Sequence, residues 1–274
     1  MCQLLNVSKS CYYEHLKEKS TARIDKSEYL VKEIIACFKN SKQTYGSPRI
    51  TSCLQDKGIK TSKVTIARLM RKNNIRSITK KKFIVTTNSK HKYSISENLL
   101  NRNFTVNEPS KAWVSDITYV RTQEGWIYLT TIIDLFDRKV IGKSISDKLD
   151  TKNTIVKAFK DAAEKRVIYT DTIFHSDRGV QYASNEFRML LNQYTKAQSM
   201  SRKGNCWDNA VAESFFSTFK KECVRKKVFY SKKTAYNEIV SYIEDWYNSK
   251  RKHSSLGNKS PLEFETKYRI SNVA

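Results

Sequence analysis

One stretch limits the folds open to this chain more than any other. It is Trp113-Val114-Ser115-Asp116-Ile117-Thr118-Tyr119-Val120, an apolar run with a carboxylate near its middle. The β-branched and aromatic content reads as a buried strand. An acid there is costly unless a buried ion pair or a cation compensates it. The turn Gln123-Glu124-Gly125 leads to a second strand, Trp126 to Asp134, and Asp137-Arg138-Lys139 leads to a third, Val140 to Ser146. Three strands joined by short turns make an antiparallel meander. A helix follows from Thr151 to about Arg166 through Ile155, Ala158, Phe159 and Ala162. Then come a short strand (Thr172 to His175), a helix capped by Ser184, and a last strand (Lys196 to Met200). The loop Ser201-Arg202-Lys203-Gly204-Asn205 precedes the helix of Glu213. The order is β-β-β-α-β-α-β-α. Tyr236 to Tyr247 is a further amphipathic helix, and the tail through Pro261 to Phe264 is expected to pack back on the core, with Arg251 and His253 holding it there rather than lining DNA, the alternative for both.

Upstream, Asp25-Lys26-Ser27-Glu28 matches a capping box, and Leu30, Ile34, Ile35 and Phe38 follow at helical spacing. Ser47 is expected as an N-cap with Pro48 at the first helical position, and Gly58 suits a left-handed helix end. Thr61 or Ser62 caps a third helix, with Val64, Ala67, Leu69 and Met70 as apolar positions and Lys63, Arg68, Arg71 and Lys72 as charge. Two short helices around a Gly-containing turn, the second basic, fit a helix-turn-helix that binds DNA. They also fit a three-helix bundle with a solvated basic face. The domains expected are an N-terminal helical segment (1–20), a helix-turn-helix-like DNA-binding module (21–78), a basic linker (79–104) and a catalytic domain (105–270). Segment 1–20 reads either as a frayed amphipathic end or as the tail of a DNA-binding unit. The linker holds Lys80-Lys81-Lys82 and Lys90-His91-Lys92.

The chain has 51 Lys and Arg against 27 Asp and Glu, a net charge of +24, which points to a polyanionic partner. The excess is steeper in residues 1–105, with 22 basic and 7 acidic residues, than in 106–274, with 29 and 20. Six scattered cysteines without a C-x-x-C pair, and only four histidines, give no zinc pattern. A reduced, cytoplasmic setting is expected, with no signal peptide and no membrane span.

Three acids stand apart from the solvated ones. Asp116 is in the first strand, Asp177 follows Ile173-Phe174-His175, and Glu213 lies on a helix whose Val211, Phe215 and Phe219 form an apolar face. Asn209, Glu213 and Ser217 share another face, Lys220 lies seven residues beyond Glu213, and Asp208 is expected to cap the start. Three carboxylates without soft ligands suit Mg²⁺ or Mn²⁺, and two such ions can clamp an in-line displacement at phosphorus. The reaction expected is cutting and joining of DNA. Asp134 and Asp137 are expected as surface salt bridges or caps, Trp207 as an anchor for the Glu213 helix, and His175 as an organiser of its loop, with direct assistance at the acids as the alternative. Arg178, Arg202 and Lys203 flank the acids as candidate phosphate contacts.

The joint pattern resembles a known family. It comprises Trp113-x-x-Asp116-Ile117-Thr118-Tyr119, His175-Ser176-Asp177-Arg178-Gly179-x-Gln181-Tyr182, and Ser201-x-x-Gly204-Asn205-x-x-Asp208-Asn209-Ala210-x-x-Glu213-Ser214-Phe215-Phe216. The tail Tyr247-Asn248-x-x-Arg251-x-His253-x-x-Leu256-x-x-x-x-Pro261 also fits, and 35 residues separate Asp177 from Glu213. The chain is similar to the second-frame (OrfB) transposases of the IS-three group of bacterial insertion sequences, DDE transposases related to retroviral integrases. The resemblance implies an RNase-H-like fold of α/β (α+β) class, a mixed five-stranded sheet flanked by helices behind a small all-α helix-turn-helix module. It implies Asp116, Asp177 and Glu213 as the catalytic, metal-binding triad and Lys220 as a DNA contact. It further implies metal-dependent strand cleavage and strand transfer on the element's terminal inverted repeats and target DNA. A homo-oligomer on DNA, a first-frame (OrfA) product fused to it or partnering it, and association with the nucleoid are implied as well. A DNA-binding regulator of element ends and a purely hydrolytic nuclease of the same fold are the alternatives.

Overall fold

Strand β1 (Ala112–Thr122) is central to the sheet. The computed structural model describes residues 8–16, 21–77, 93–195, 197–225 and 227–273. The helix expected over Met1 to Leu5 and the basic runs of 80–82 and 90–92 lie outside the described residues. The chain divides into two compact units, Met1–Ile78 and Thr79–Ala274.

The first unit holds α1 (Lys9–Leu16), α2 (Thr21–Asn40), α3 (Ser47–Asp56) and α4 (Lys63–Lys72). Ile34 of α2, Ile50 and Leu54 of α3, and Ile66, Leu69 and Met70 of α4 form its core. Two sequence signals held here. Gly58 ends α3 with φ +78, where a Cβ would be strained, and the Ser62 side chain caps α4 by accepting from the Thr65 amide. Three did not. Helix α2 already runs at Thr21, so Asp25 to Glu28 start nothing. Gly46 rather than Ser47 is the N-cap of α3, without a side-chain cap bond. Val64 is 78% exposed, because the buried stripe of α4 runs through Ile66, Leu69 and Met70 instead.

In the second unit β2 (Gly125–Asp134) pairs antiparallel with β1, and β3 (Val140–Ser146) pairs antiparallel with β2. A π turn over Lys152–Val156 continues into α5 (Lys157–Lys165). The chain then crosses to β4 (Ile173–Ser176), parallel to β1. After α6 (Val180–Ala183) and α7 (Asn185–Asn192), β5 (Gln198–Met200) adds parallel to β4. The sheet order is β3-β2-β1-β4-β5. A 3₁₀ turn over Cys206–Asn209 leads into α8 (Ala210–Phe219), followed by a π turn over Lys220–Val224. Then come α9 (Lys232–Ser241), a π turn over Tyr242–Asn248, and α10 (Pro261–Val273).

Alternation along β1 splits the core in two. Ala112, Val114 and Val120 face Ala212, Phe215, Phe216 and Phe219 of α8 and Ile239 of α9. Trp113 faces the other layer, with Ala158 and Phe159 of α5 and Phe187 of α7. Residues 93–104 correct the linker expectation where they are described. Leu100 is buried, and the Leu99 and Leu100 amides donate to Ser199 Oγ. Asp134 and Asp137 are likewise buried rather than superficial. Arg166 bonds both, Asp134 accepts from the Ser110 and Phe136 amides, and Glu265 of α10 joins the group through Lys139. Burial, then Asp137, pushes Asp134 up to about 6 against the pull of Arg166. The tail packs as expected: Arg251 is buried against Glu222, which also accepts from Tyr242 and Trp246. Among the described residues no helix is long and apolar enough to cross a membrane.

Gly142 of β3 meets α5 without room for a side chain: a Cβ there would lie 2.3 Å from the Ala158 carbonyl oxygen and 2.7 Å from Ala162 Cβ. Gly142→Ala is expected to lower stability by about 1–3 kcal/mol, read as a lower denaturation midpoint. An unchanged midpoint would contradict this close approach.

Candidate active site

Register brings the first two acids together. The parallel pairing of β1 with β4 ends at Val114–His175; two residues further on stand Asp116, still within β1, and Asp177, one residue past the end of β4. They sit where the two strands part, at the carboxyl end of the parallel pair, where loops leave room for a ligand. Asp116 is half-buried rather than enclosed, which corrects the expectation of an acid sealed inside a strand. Its Oδ1 accepts from the Ile117 amide at 2.8 Å. Asp177 Oδ1 accepts from the Gly179 amide at 2.9 Å, and a Cβ on Gly179 would stand 3.0 Å from that oxygen.

Glu213 comes from α8. The phenylalanines of α8 bury its inner face, and Asn209 Nδ2 donates to the Ser115 carbonyl at 3.1 Å. That bond ties the start of the helix to β1 one residue before Asp116. Glu213 follows four residues later on the same face, exposed. Beneath β1, Ser115 Oγ donates to the Thr131 carbonyl and shares a 2.9 Å hydrogen bond with Tyr182 OH.

The electrostatics show the three acids acting on one another. Loss of water around its carboxyl pushes Asp116 well above the usual carboxylate range, and Asp177 and then Glu213 push it further. Glu213 is raised by desolvation and then by Asp177. Lys220, half-buried in the π turn after α8, is lowered by desolvation and held up by Asp116. Among the described residues no three acidic, histidine or cysteine side chains converge into a finished ion cage. The site is an open set of coupled carboxylates, all hard oxygen donors, whose repulsion a proton or a divalent cation relieves. Exposed Glu213 has no hydrogen bond holding it among the described residues, so its long side chain can close the set.

His175 is fully buried between two serines, with Nδ1 2.8 Å from Ser199 Oγ and Nε2 3.2 Å from Ser201 Oγ. Ser199 Oγ already accepts from two amides, and Ser201 Oγ donates to the Ser176 carbonyl. The donors balance when Ser199 donates to Nδ1 and Nε2–H donates to Ser201, which is a neutral ring. Burial lowers its pKa to about 4. His175 therefore fastens β4 to β5 below Asp177 and has no nitrogen left for substrate.

The 201–209 segment departs from expectation. Asp208 caps no helix. Its buried carboxylate accepts from the Arg202 amide and guanidinium, Arg102 Nε and Asn98 Nδ2, and these partners, Arg202 first, hold it well below the usual range. Arg202 is thus committed to Asp208, and Arg178 donates through Nε to the Ser201 carbonyl at 2.6 Å. Lys203 is exposed. Trp207 is 70% exposed and anchors nothing; Asn209 makes the anchoring bond. In the first unit Lys63, Arg68, Arg71 and Lys72 are all exposed on α4. Sequence reasoning noted Asn209 only as a neighbour of Glu213 and missed the cradling by Gly179, whose signal is a glycine two residues past an acid at a strand end.

Residues 106–206 match the integrase core domain family, 195–261 a second integrase core domain family, and 25–83 an HTH-like domain family. The chain is 39% identical over 268 residues to the uncharacterized 31 kDa protein of insertion element IS600 from Shigella sonnei, covering 98% of each. It is 37% identical over 269 residues to transposase InsF for insertion sequence IS3A from Escherichia coli strain K12, covering 97% of this chain and 93% of that one. Among solved structures, the catalytic core domain of BIV integrase is similar at a TM-score of 0.42 and 12% identity, over 60% of this chain and 99% of that one.

Because His175 falls from its ordinary value of 6.5 to about 4, its contribution to stability is full above pH 6.5 and is lost as pH falls through 4. Its ring resonances are expected to stay unshifted from pH 8 to about 5 and to titrate only near 4. Titration near 6.5 would contradict the buried, doubly bonded ring.

Proposed function

The chain belongs to the family of the InsF transposases of insertion sequence IS3, and from that membership we propose that Asp116, Asp177 and Glu213 are its catalytic carboxylates, cutting DNA strands and joining them to a target. One observation carries the assignment: the β1–β4 register runs directly into Asp116 and Asp177, with Glu213 on the helix tied to the same strand.

The donor set fits Mg²⁺ or Mn²⁺, held by Asp116, Asp177 and Glu213. Divalent cations, two per site, would supply Lewis-acid activation of the attacking and leaving oxygens when bound. The chain's own groups do the rest. Lys220, beside Asp116, meets the phosphate next to the reacting one. Lys203 and Arg178 line its approach, while Arg202 holds the loop through Asp208. His175, neutral, keeps the Asp177 strand rigid. A bond forms from the attacking oxygen to phosphorus as the phosphorus–3′-oxygen bond breaks. With water as attacker the strand is nicked, and with a 3′-hydroxyl it is joined, so no enzyme-bound intermediate is needed. Helix α4, through Lys63, Arg68, Arg71 and Lys72, takes the element's terminal repeats. Holding two ends and a target together calls for several copies of the chain and, where the element encodes one, its first-frame product.

Asp116→Asn, Asp177→Asn and Glu213→Gln are each expected to cut nicking of supercoiled plasmid in Mn²⁺ by at least ~1000-fold, on the scale of removing a metal-activated step, while DNA binding persists. Pre-cut element ends should become covalently joined to target DNA. Hydrolysis without joining would instead mark a nuclease, and binding without either a regulator. Arg68→Ala and Arg71→Ala are expected to weaken duplex binding and to lower the slope of log affinity on log salt by about 1 for each phosphate no longer neutralised; an unchanged slope would remove α4 from the interface.

A further inference from the structure

The hairpin that bears Asp116 has a second exposed surface. Past Val114, β4 no longer pairs with β1, and the outer half of the β1–β2 hairpin stands clear of it. There Tyr119 pairs with Tyr128, and Arg121 pairs with Trp126. The Tyr119 and Tyr128 rings meet edge to face at 5.2 Å, and Tyr119 meets Trp126 edge to face at 6.4 Å. Trp126 is 48% exposed, and the Arg121 guanidinium lies 5.7 Å from its ring centroid. Arg121 is exposed and makes no ion pair among the described residues. The hairpin's other face packs Val120 and Ile127 into the core, but these three rings and the Arg121 cation belong to neither core cluster. The cluster also adjoins the acids. Tyr119 follows Asp116 by three residues along β1, with its ring on the opposite face of the strand, and both Asp177 and Asp116 act on its phenol.

A duplex hides the faces of its bases by stacking, so exposed rings beside a phosphate-binding cation match unpaired bases. A chain with a net charge of +24 already favours a polyanion over a second copy of itself. We propose that Tyr119, Trp126 and Tyr128 form a stacking platform for unpaired nucleobases of the DNA strand beside the reacting phosphate, with Arg121 gripping that strand's backbone. The platform rests on Asp116 and Asp177 marking the reacting position. It gives the site a preference for frayed or single-stranded DNA that a duplex-reading helix cannot supply.

The test is equilibrium binding of the full chain to an oligothymidine of about 20 nucleotides and to a duplex of the same length, without divalent cation. Trp126→Ala is expected to weaken oligothymidine binding about tenfold and to leave duplex binding within about twofold. Trp126→Phe should retain most of the affinity, and Arg121→Gln should weaken oligothymidine binding with a shallower salt dependence. Denaturation midpoints of the variants show whether each is folded. Unchanged oligothymidine affinity in folded Trp126→Ala would overturn the proposal, as would an equal loss on duplex. A change in sedimentation with both affinities intact would assign the patch to a second copy and overturn it too. None of these readouts involves cleavage, so failure of the carboxylate assignment would appear separately, in the nicking and joining assays.

Discussion

The parallel pairing of β1 with β4 is the constraint on which the rest depends. A parallel pair needs a crossover, here the π turn and α5, and the crossover returns the chain so that Asp177 leaves β4 beside Asp116. Asp116, short of water and beside the Asp177 carboxylate, is disfavoured as an anion. The fold offsets this with local donors: the Ile117 amide to one acid and the Gly179 amide to the other. Those bonds fix where the oxygens point and leave most of the mutual repulsion in place. That residual repulsion is what a bound cation would relieve.

Around this pair the protein is built to be stiff. Helix α8 sits on β1 through four aromatic or small buried residues and one side-chain amide, so Glu213 is delivered on a rigid element while its own side chain remains exposed. His175 and its two serines lock β4 to β5, and Asp208 gathers two arginines and an asparagine to fasten the 201–209 loop to residues 93–104. Two further buried ion groups, Arg166 with Asp134 and Asp137, and Arg251 with Glu222, fix the turn after β2 and the tail. Each of these buried acids has its donors, as a charge out of water requires. At the site, by contrast, Asp116 and Glu213 stay pushed above their ordinary range.

The strands, the order of the elements and the apolar face of α8 were legible because periodicity and turn residues are local signals. Asp116, Asp177 and Glu213 stood out for the same reason: each is an acid in an apolar or strand-end setting. What sequence could not reveal is which distant partner satisfies a polar group. Asp208 looked like a helix cap, yet its partners include Arg102 and Asn98, over a hundred residues away. Asp134 and Asp137 looked superficial until Arg166 and Glu265 closed over them. Trp207 read as an anchor because large apolar residues usually bury, whereas the smaller Asn209 makes the bond to β1. Asp25 to Glu28 met the pattern of a helix start, but α2 was already under way.

Manganese titration by calorimetry in buffers of different ionisation enthalpy tests the central claim most directly. Because Asp116 and Glu213 are pushed above their ordinary values, binding should release protons, and the heat should vary with the buffer. Asp116→Asn should weaken the binding by at least about tenfold, as loss of one hard oxygen ligand from a small set implies. Mn²⁺ binding that survives Asp116→Asn and Asp177→Asn unchanged, or no Mn²⁺ binding even with DNA bound, would contradict the claim that the β1–β4 junction is a cation site.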